Sequence, residues 1–381
     1  MRTFLIVLGS VITLGIILVI ALFIYAKNIT TKVADPAVNH LQVTENINRP
    51  KIDSIYKYSK EFPNNTQLAI AFINDEKVDY YGIKRKSDTL RTISNKDSVF
   101  QIGSITKVFN STLLSDFIVN DQIDPTKPIQ EYLDITLHQY QKDGASITLQ
   151  NLSNHTAGLP RVPPGMMTSS LLDPDKVYEN YTEEKLEAYL TTEMEPKTKP
   201  GSKMAYSNLG AGVLSYTLSK LSGKSFEQLL QERIFSKYQM SHSSSRREMV
   251  DDITVKGLNN QGTPTPSWKF SSMHGLGAMY SNVEDLSKFM KANFAKDSVL
   301  SLQRKPTFSI SDKRSIALGW MISKRECANW FWHNGGTQGY SSCLVIDPTN
   351  KTGVVILSNV NAFYPEHSNI DRLCFTLMEM L

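Results

Sequence analysis

Cysteine is scarce in this chain. Three cysteines (Cys327, Cys343 and Cys374) are spread over the last part of 381 residues, and no two are spaced as C-x-x-C. A disulfide-built mini-protein and a zinc or dithiol centre of that kind are thereby excluded. H-E-x-x-H is missing as well, and the seven histidines stand apart from paired carboxylates, so neither a metal nor any other cofactor is expected. Charge of one sign is also lacking. Against 37 Asp+Glu, 41 Lys+Arg leave only +4, with no dense basic cluster, which excludes nucleic acid as an expected partner. No G-x-S-x-G occurs, so the nucleophile elbow of the α/β-hydrolases is absent. Internal repeats and low-complexity segments are wanting too. What remains is 41% hydrophobic and 20% charged, with 20 Gly and 16 Pro, the composition of a globular chain. At about 100–200 residues per domain, one large domain or two lobes sharing a core fit this length.

One apolar run stands out, from Phe4 to Ala26, interrupted only by Gly9, Ser10, Thr13 and Gly15. About 20 residues rising 1.5 Å each cross a hydrocarbon core of about 30 Å, whereas a cleavable signal has an apolar region of about 7–15 residues. Residues 1–26 are therefore read as a transmembrane anchor, with secretion after cleavage at Ala26 as the alternative. Arg2, Lys27 and Lys32 give no clear positive-inside bias, but a first hydrophobic segment followed by a long soluble part exports that part. The expected location is the cell membrane, single-pass, with the folded domain extracytoplasmic. Residues 27–50 are polar, carry Pro36 and Pro50, and read as a tether to a domain over 51–381. An odd number of cysteines allows at most one disulfide, and a hairpin is one way to bring Cys327 and Cys343 face to face.

Gln67–Asn74 and Lys77–Ile83 are β-type runs separated by Asp75-Glu76, a hairpin signal. Ser98–Ile102 leads through Gly103-Ser104 into a helical pattern in which Phe109, Leu113 and Phe117 recur on one apolar stripe, ending near Asn120. From about 122 to 310 the chain reads as helix and loop, with helices over Glu183–Thr191, from Asn208 to a stop at Gly223, Ser225–Phe235 and Val283–Asn293. Strand patterns return at Trp330–Trp332, Tyr340–Ile346 and Gly353–Leu357, the last two joined by an Asp-Pro-Thr-Asn turn, and Arg372–Met380 reads as a terminal helix. Strands near both ends with helices between them predict an α+β fold. An antiparallel sheet (about 51–103 and 315–381) is flanked by helices and carries an inserted, mostly helical lobe (about 104–314).

Ser104-Ile105-Thr106-Lys107 lies where strand gives way to helix. A serine hydroxyl is a poor nucleophile unless a base or cation is held beside it, and Lys107 at i+3 stands on the same helical face. The helix N-terminus adds N–H groups and a positive dipole end that favour an anionic oxygen. Burial beside other donors would push the lysine toward its neutral, proton-accepting form. Taken by itself this tetrapeptide also fits a plain helix cap. Two more segments add to it. Tyr206-Ser207-Asn208 directly precedes a helix, offering a phenol to relay a proton, given cations that lower its pKa, and an amide to hold lysine and substrate. His333-Asn334-Gly335-Gly336-Thr337 lies on a late strand, where glycines let a substrate backbone approach.

Together the three segments resemble the penicillin-recognising serine hydrolases, in particular the class C β-lactamase-like branch, in which S-x-x-K, Y-x-N and K-T-G or H-x-G occur in this order. Phe100–Gly103, Ile147–Pro160 and Tyr280–Leu286 are similar to further family segments, and the likeness covers about residues 50–381. Lys351-Thr352-Gly353 spells K-T-G literally, but only one strand and a helix follow it, where the family has further sheet. It reads as a solvated hairpin lysine.

The resemblance implies two-step acyl transfer. Ser104 attacks a carbonyl while Lys107 and Tyr206 handle its proton, and the N–H groups of Ser104 and Gly336 hold the oxyanion beside Gly335. Asn208 orients the substrate amide, and His333 stands where many members carry lysine. A histidine is largely neutral near pH 7, so reading of a substrate carboxylate weakens. The expected activity is that of a membrane-tethered serine hydrolase cleaving an amide or ester, with D-amino-acid-containing or cell-wall-type peptides or small esters as substrates. A true D,D-carboxypeptidase or β-lactamase, which would need a charged His333 or a cation such as Arg325, is one rival. A non-catalytic binding or assembly protein at the membrane is the other. His155 is expected to hydrogen-bond loop backbone, His274 is a candidate cleft residue, and Trp320, Trp330 and Trp332 are expected to pack between sheet and helix.

Overall fold

Strands from both ends of the chain meet in one sheet. The computed structural model describes residues 32–166, 173 and 175–381. Strands β1 (Val38–His40), β2 (Gln67–Asn74), β3 (Lys77–Lys86) and β4 (Thr89–Ile93) come from the N-terminal part. Strands β5 (Phe308–Ser311), β6 (Arg314–Ile316), β7 (Met321–Lys324), β8 (Asn329–Thr337), β9 (Tyr340–Asp347) and β10 (Thr352–Ser358) come from the C-terminal part. They form a ten-stranded sheet in the order β1-β4-β3-β2-β10-β9-β8-β7-β6-β5. The seam between the two halves is β2 against β10, from Asn74 opposite Thr352 to Leu68 opposite Ser358. Every pair is antiparallel except β1–β4, so the sheet is mixed where a wholly antiparallel one was expected. The cause is the segment before the first helix, which runs back along the edge.

From residue 32 on, that segment packs on the domain and corrects the reading of residues 27–50 as a tether; residues 27–31 lie outside those described. Ala37, Leu41 and Ile47 are buried, Tyr56 Oη donates to Ala37 O at 2.9 Å, and Arg85 Nη2 donates to Asp35 O at 2.9 Å. Pro50 sits in the first turn of helix α1 (Arg49–Ser59), where its missing N–H costs nothing, and Asn48 caps that turn through the Lys51 N–H. The apolar run Phe4–Ala26 lies outside the described residues. Among those described, no helix is long and apolar enough to cross a membrane.

Period-two alternation places the two cores. Leu68, Ile70 and Phe72 of β2 face α1 and the C-terminal helix (Asn369–Met378), while Ala69, Ala71 and Ile73 face the helical lobe. Both faces are covered, so the strand reads as an almost unbroken apolar run. The lobe contains α2 (Thr106–Asn120), α3 (Leu149–Ser153), α4 (Glu183–Thr192), α5 (Asn208–Ser222) and α6 (Val283–Ala292), and the C-terminal helix is α7. Helix α2 is buried on all sides from Thr106 to Phe117, not along the single stripe its periodicity suggests. Several of its polar positions are paired inside the lobe: Ser111 Oγ lies 2.7 Å from Ser153 Oγ, and Ser115 Oγ donates to Val299 O at 2.6 Å. Helix α5 ends at Gly223, left-handed at φ 67°, as its sequence predicts.

Two further readings are settled by register. Asn334 stands opposite Cys343 and Cys327 precedes β8, so the proposed Cys327–Cys343 pairing does not form, and all three cysteines are free. Lys351 occupies the β9–β10 turn and pairs with Asp75 at 3.0 Å, away from the cleft described next.

Candidate active site

A short strand, Phe100–Gln101, pairs with Tyr280–Ser281 and runs into a 3-10 turn, Gly103–Ile105, that opens α2. Ser104 stands on this turn. Gly103 is left-handed at φ 53°, and a Cβ there would meet Gly336 N at 2.7 Å. A Cβ on Gly335 would meet Ile102 O at 2.0 Å. The two glycine-bearing segments therefore touch backbone to backbone, and Ser342 Oγ ties the contact by donating to Ile102 O at 2.9 Å. The first and third motifs are thus brought together by close approach.

Lys107 Nζ donates to Ser104 Oγ at 2.9 Å and to Leu276 O at 2.6 Å. Its side chain is buried. Burial first, and the positive charge of Arg161 second, hold its pKa well below the ordinary lysine value. The Tyr206 ring lies 5.0 Å from Nζ. Burial pushes the Tyr206 phenol up to about 12, outweighing the opposing effects of its hydrogen bond to Ser104 and of Arg161. Its pKa is therefore raised, where proton relay was expected to need one lowered by neighbouring cations. Tyr206 is a hydroxyl donor and acceptor at neutral pH, not a phenolate.

His333 is buried, with Nδ1 2.7 Å from Asn334 O. Burial, then the Lys107 charge, lowers its pKa to about 4, so the ring is neutral across the physiological range. His155 does what its sequence position suggests: Nδ1 accepts the Ser207 N–H at 3.3 Å, and its ring lies 4.4 Å from that of Tyr206. Ser207 caps α5 by accepting the Gly210 N–H at 2.9 Å, which fixes Asn208 at the helix start. Asn208 Nδ2 donates to Tyr178 Oη at 3.3 Å, while its buried Oδ1 has no partner among the described residues. A buried carbonyl without a donor is costly unless an incoming N–H meets it.

Ser104, Tyr206 and Asn208 line a cleft of about 560 Å³ together with Gly335 and Gly336, while Lys107, His155 and His333 stand behind them and do not line it. Sequence reasoning missed much of the rest: Arg161, Tyr178, Trp268, Phe363, His367 and Asp371 also line it. Arg161 was the findable one, since it directly follows the segment Ile147–Pro160. Its guanidinium lies 5.2 Å from the Tyr206 ring, and its carbonyl accepts the Asn208 N–H at 2.8 Å. Arg325, the cation named as an alternative, instead lies over Trp330 at 4.2 Å and toward Glu379 at 3.7 Å, outside the cleft. His274 belongs to a separate hollow, where its ring stacks on Phe226. Trp320 is buried in the core, and Trp330 and Trp332 pack against Phe375 of α7. Among the described residues, no cluster of three or more His, Cys, Asp or Glu is placed to hold a metal.

A family model described as Beta-lactamase matches residues 62–373. The D-alanyl-D-alanine-carboxypeptidase/endopeptidase AmpH of Escherichia coli K12 is 27% identical over 303 residues, 73% of this chain and 74% of that protein. A β-lactamase of the same strain is 22% identical over 348 residues, 80% and 86% of the two chains. Among solved structures, a β-lactamase/D-alanine carboxypeptidase from Pseudomonas syringae superposes with a TM-score of 0.70 at 19% identity, covering 86% of this chain and 97% of that one.

Proposed function

Because the chain belongs to the Beta-lactamase family and is a serine hydrolase of that family, we propose that its chemistry runs through Ser104 as acyl acceptor, with Lys107 as the base. The observation that carries this reading is the buried Lys107 Nζ, 2.9 Å from Ser104 Oγ, with its pKa well below that of a free lysine. A neutral amine at that position takes the hydroxyl proton as Oγ attacks the substrate carbonyl. The N–H groups of Ser104 and Gly336 hold the resulting oxyanion. Tyr206, protonated and hydrogen-bonded to Ser104, passes a proton to the leaving group as the carbonyl–heteroatom bond breaks. Lys107 passes its proton to Tyr206, which restores both groups. Water then adds to the acyl-enzyme, loses its proton to the neutral Lys107, and releases the acid as that proton returns to Ser104 Oγ. Asn208 Oδ1, which no donor meets among the described residues, accepts an N–H from the acyl side.

The substrate class that fits best is an amide or ester, including D-amino-acid-containing or cell-wall-type peptides, the chemistry named for AmpH. A neutral His333 leaves the third motif without the cation that a β-lactam or D,D-peptide carboxylate would meet there. Hydrolysis of such acids is accordingly weaker than that of esters or uncharged amides. The same reading places the domain outside the membrane on an anchor formed by Phe4–Ala26, supported by the length of that apolar run. The test is turnover of a short panel by the purified chain: an activated acetate ester, a D-alanyl amide, a D-alanyl-D-alanine peptide and a chromogenic cephalosporin. Turnover of the ester or amide that vanishes in Ser104→Ala is expected. Turnover that survives Ser104→Ala overturns the reading.

A further inference from the structure

One wall of the cleft carries a carboxylate near the motif that lacks a cation. Asp371, in the first turn of α7, lines the cleft beside His367, Phe363 and Asn334. Its Oδ2 accepts a hydrogen bond from Asn334 Nδ2 at 2.7 Å. The middle residue of His333-Asn334-Gly335 is therefore turned toward this carboxylate and fixes its orientation. Cys343 of β9 hydrogen-bonds to it as well, and His367 lines the cleft with it. His367 places Nδ1 2.7 Å from Tyr364 O. No lysine or arginine acts on Asp371 among the described residues. Arg372, next in sequence, donates to Asn369 Oδ1 at 3.2 Å. Burial raises the Asp371 carboxyl above the usual carboxylate range, so an arriving cation and ionisation of the group would favour each other.

The same cleft carries an aromatic surface. Phe363 is 66% exposed, yet lines the same cleft, its ring 6.3 Å from that of Trp268 and inclined at 64°. A ring left in water and a carboxylate without an ion pair among the described residues, lining one cleft, together suit an organic cation, through the ring face and the anion. Arg161, the cleft's guanidinium, stands on a different element, against the ring of Tyr206.

We infer that the wall formed by Phe363, His367 and Asp371 is a subsite for a positively charged group of the substrate, an ammonium or substituted ammonium carried by the ester or amide that Ser104 cleaves. This rests on the proposed hydrolase reading and names the substrate chemistry of the same cleft. It runs opposite to recognition of a carboxylate at that end.

Two thioester series test it with the full chain, one bearing the variable group on the leaving side and one on the acyl side. Each contains a trimethylammonium, a tert-butyl and a carboxylate member of the same shape. In one series the trimethylammonium member is expected to exceed the tert-butyl member in kcat/KM by about tenfold. That ratio, measured within each variant, should fall to about twofold or less in Asp371→Asn, recover in part in Asp371→Glu, and drop in Phe363→Leu. Equal kcat/KM in both series, a preference for the carboxylate, or a preference that survives Asp371→Asn overturns the subsite while leaving the hydrolase reading intact. If no thioester is turned over, calorimetry on the Ser104→Ala chain with choline and with 3,3-dimethylbutanol decides. Tighter binding of choline that is lost on Asp371→Asn supports the subsite and counts against the hydrolase reading alone. Equal binding overturns the subsite.

Discussion

Around Ser104 the cleft is dry and tightly tied: Lys107 and His333 are buried, and Lys107 Nζ and His333 Nδ1 each have a close partner. The remaining walls are wetter and less complete. Arg161 and Phe363 are exposed, and among the described residues Asp371 lacks an ion pair and Asn208 Oδ1, Trp268 Nε1 and Ser341 Oγ are buried without partners. The first region shifts pKa values by removing water, which is how a lysine comes to act as a base and a histidine loses its charge. The second leaves donors and acceptors open, which is what a wall that meets substrate requires. Chemistry and recognition in this cleft thus rest on opposite treatments of water.

The largest effect should come from breaking the dry half. Lys107→Met keeps the volume and removes the amine, and kcat/KM should fall by about 10³-fold with the fold intact by circular dichroism. A fall of less than about tenfold would place the base elsewhere. Gly335→Ala strikes the contact that joins the motifs, because its Cβ would lie 2.0 Å from Ile102 O and 2.5 Å from Ser342 Oγ. A loss of about 10²-fold in kcat is expected from displacement of the nucleophile turn, with destabilisation of about 1–3 kcal/mol seen in denaturant unfolding. Unchanged kcat at unchanged stability would show the close approach to be incidental.

Burial of His333 also leaves a mark on stability. Its folded pKa of about 4 lies below its ordinary value of 6.5, so the unfolded chain takes up the proton first as pH falls. Stability is full above that ordinary value and is lost on acidification toward pH 4, by up to about 3 kcal/mol for a shift of this size. His155, whose pKa is lowered by the same burial, adds in the same direction. His333→Gln should flatten part of this slope when unfolding is compared at about pH 7 and about pH 4.5. An unaltered slope would contradict a neutral, buried ring. The smallest effect belongs to the wet half: Arg161 depresses the Lys107 pKa from an exposed position. Arg161→Gln should move the acidic limb of the kcat/KM profile to higher pH by a few tenths, roughly, of a unit, the direction expected when a repelling charge is removed.

The division between the halves also explains what could be read from the chain alone. Ser104 and Lys107 lie one helical turn apart, and Tyr206 and Asn208 flank a helix cap, so local spacing already carried their geometry. His155 was legible for the same reason. Asp371, Phe363 and Trp268 reach the cleft only through the packing of α7 and a long loop on the sheet, and no local pattern marks them. In the fold, β2, β3, β9 and β10 showed themselves by apolar runs and turn residues. Strands β5, β6 and β7 did not, because Phe308–Ser311, Arg314–Ile316 and Met321–Lys324 are short, and β5, with one end of β7, is only half-buried. The packed stretch from Ala34 to Asn48 reads as a tether from its polar residues and from Pro36 and Pro50, within and just beyond it, and its few buried residues, Ala37, Leu41 and Ile47, follow no period that would counter this.

The most direct measurement is the rate of covalent labelling by a fluorophosphonate across pH, followed by intact mass in the wild-type and Ser104→Ala chains. A single adduct that is absent from Ser104→Ala, forming at a rate that rises through one apparent pKa well below that of a free lysine, is the predicted result. Labelling that persists without Ser104, or a rate that rises only near the ordinary lysine pKa, would contradict a nucleophile activated by a dry lysine.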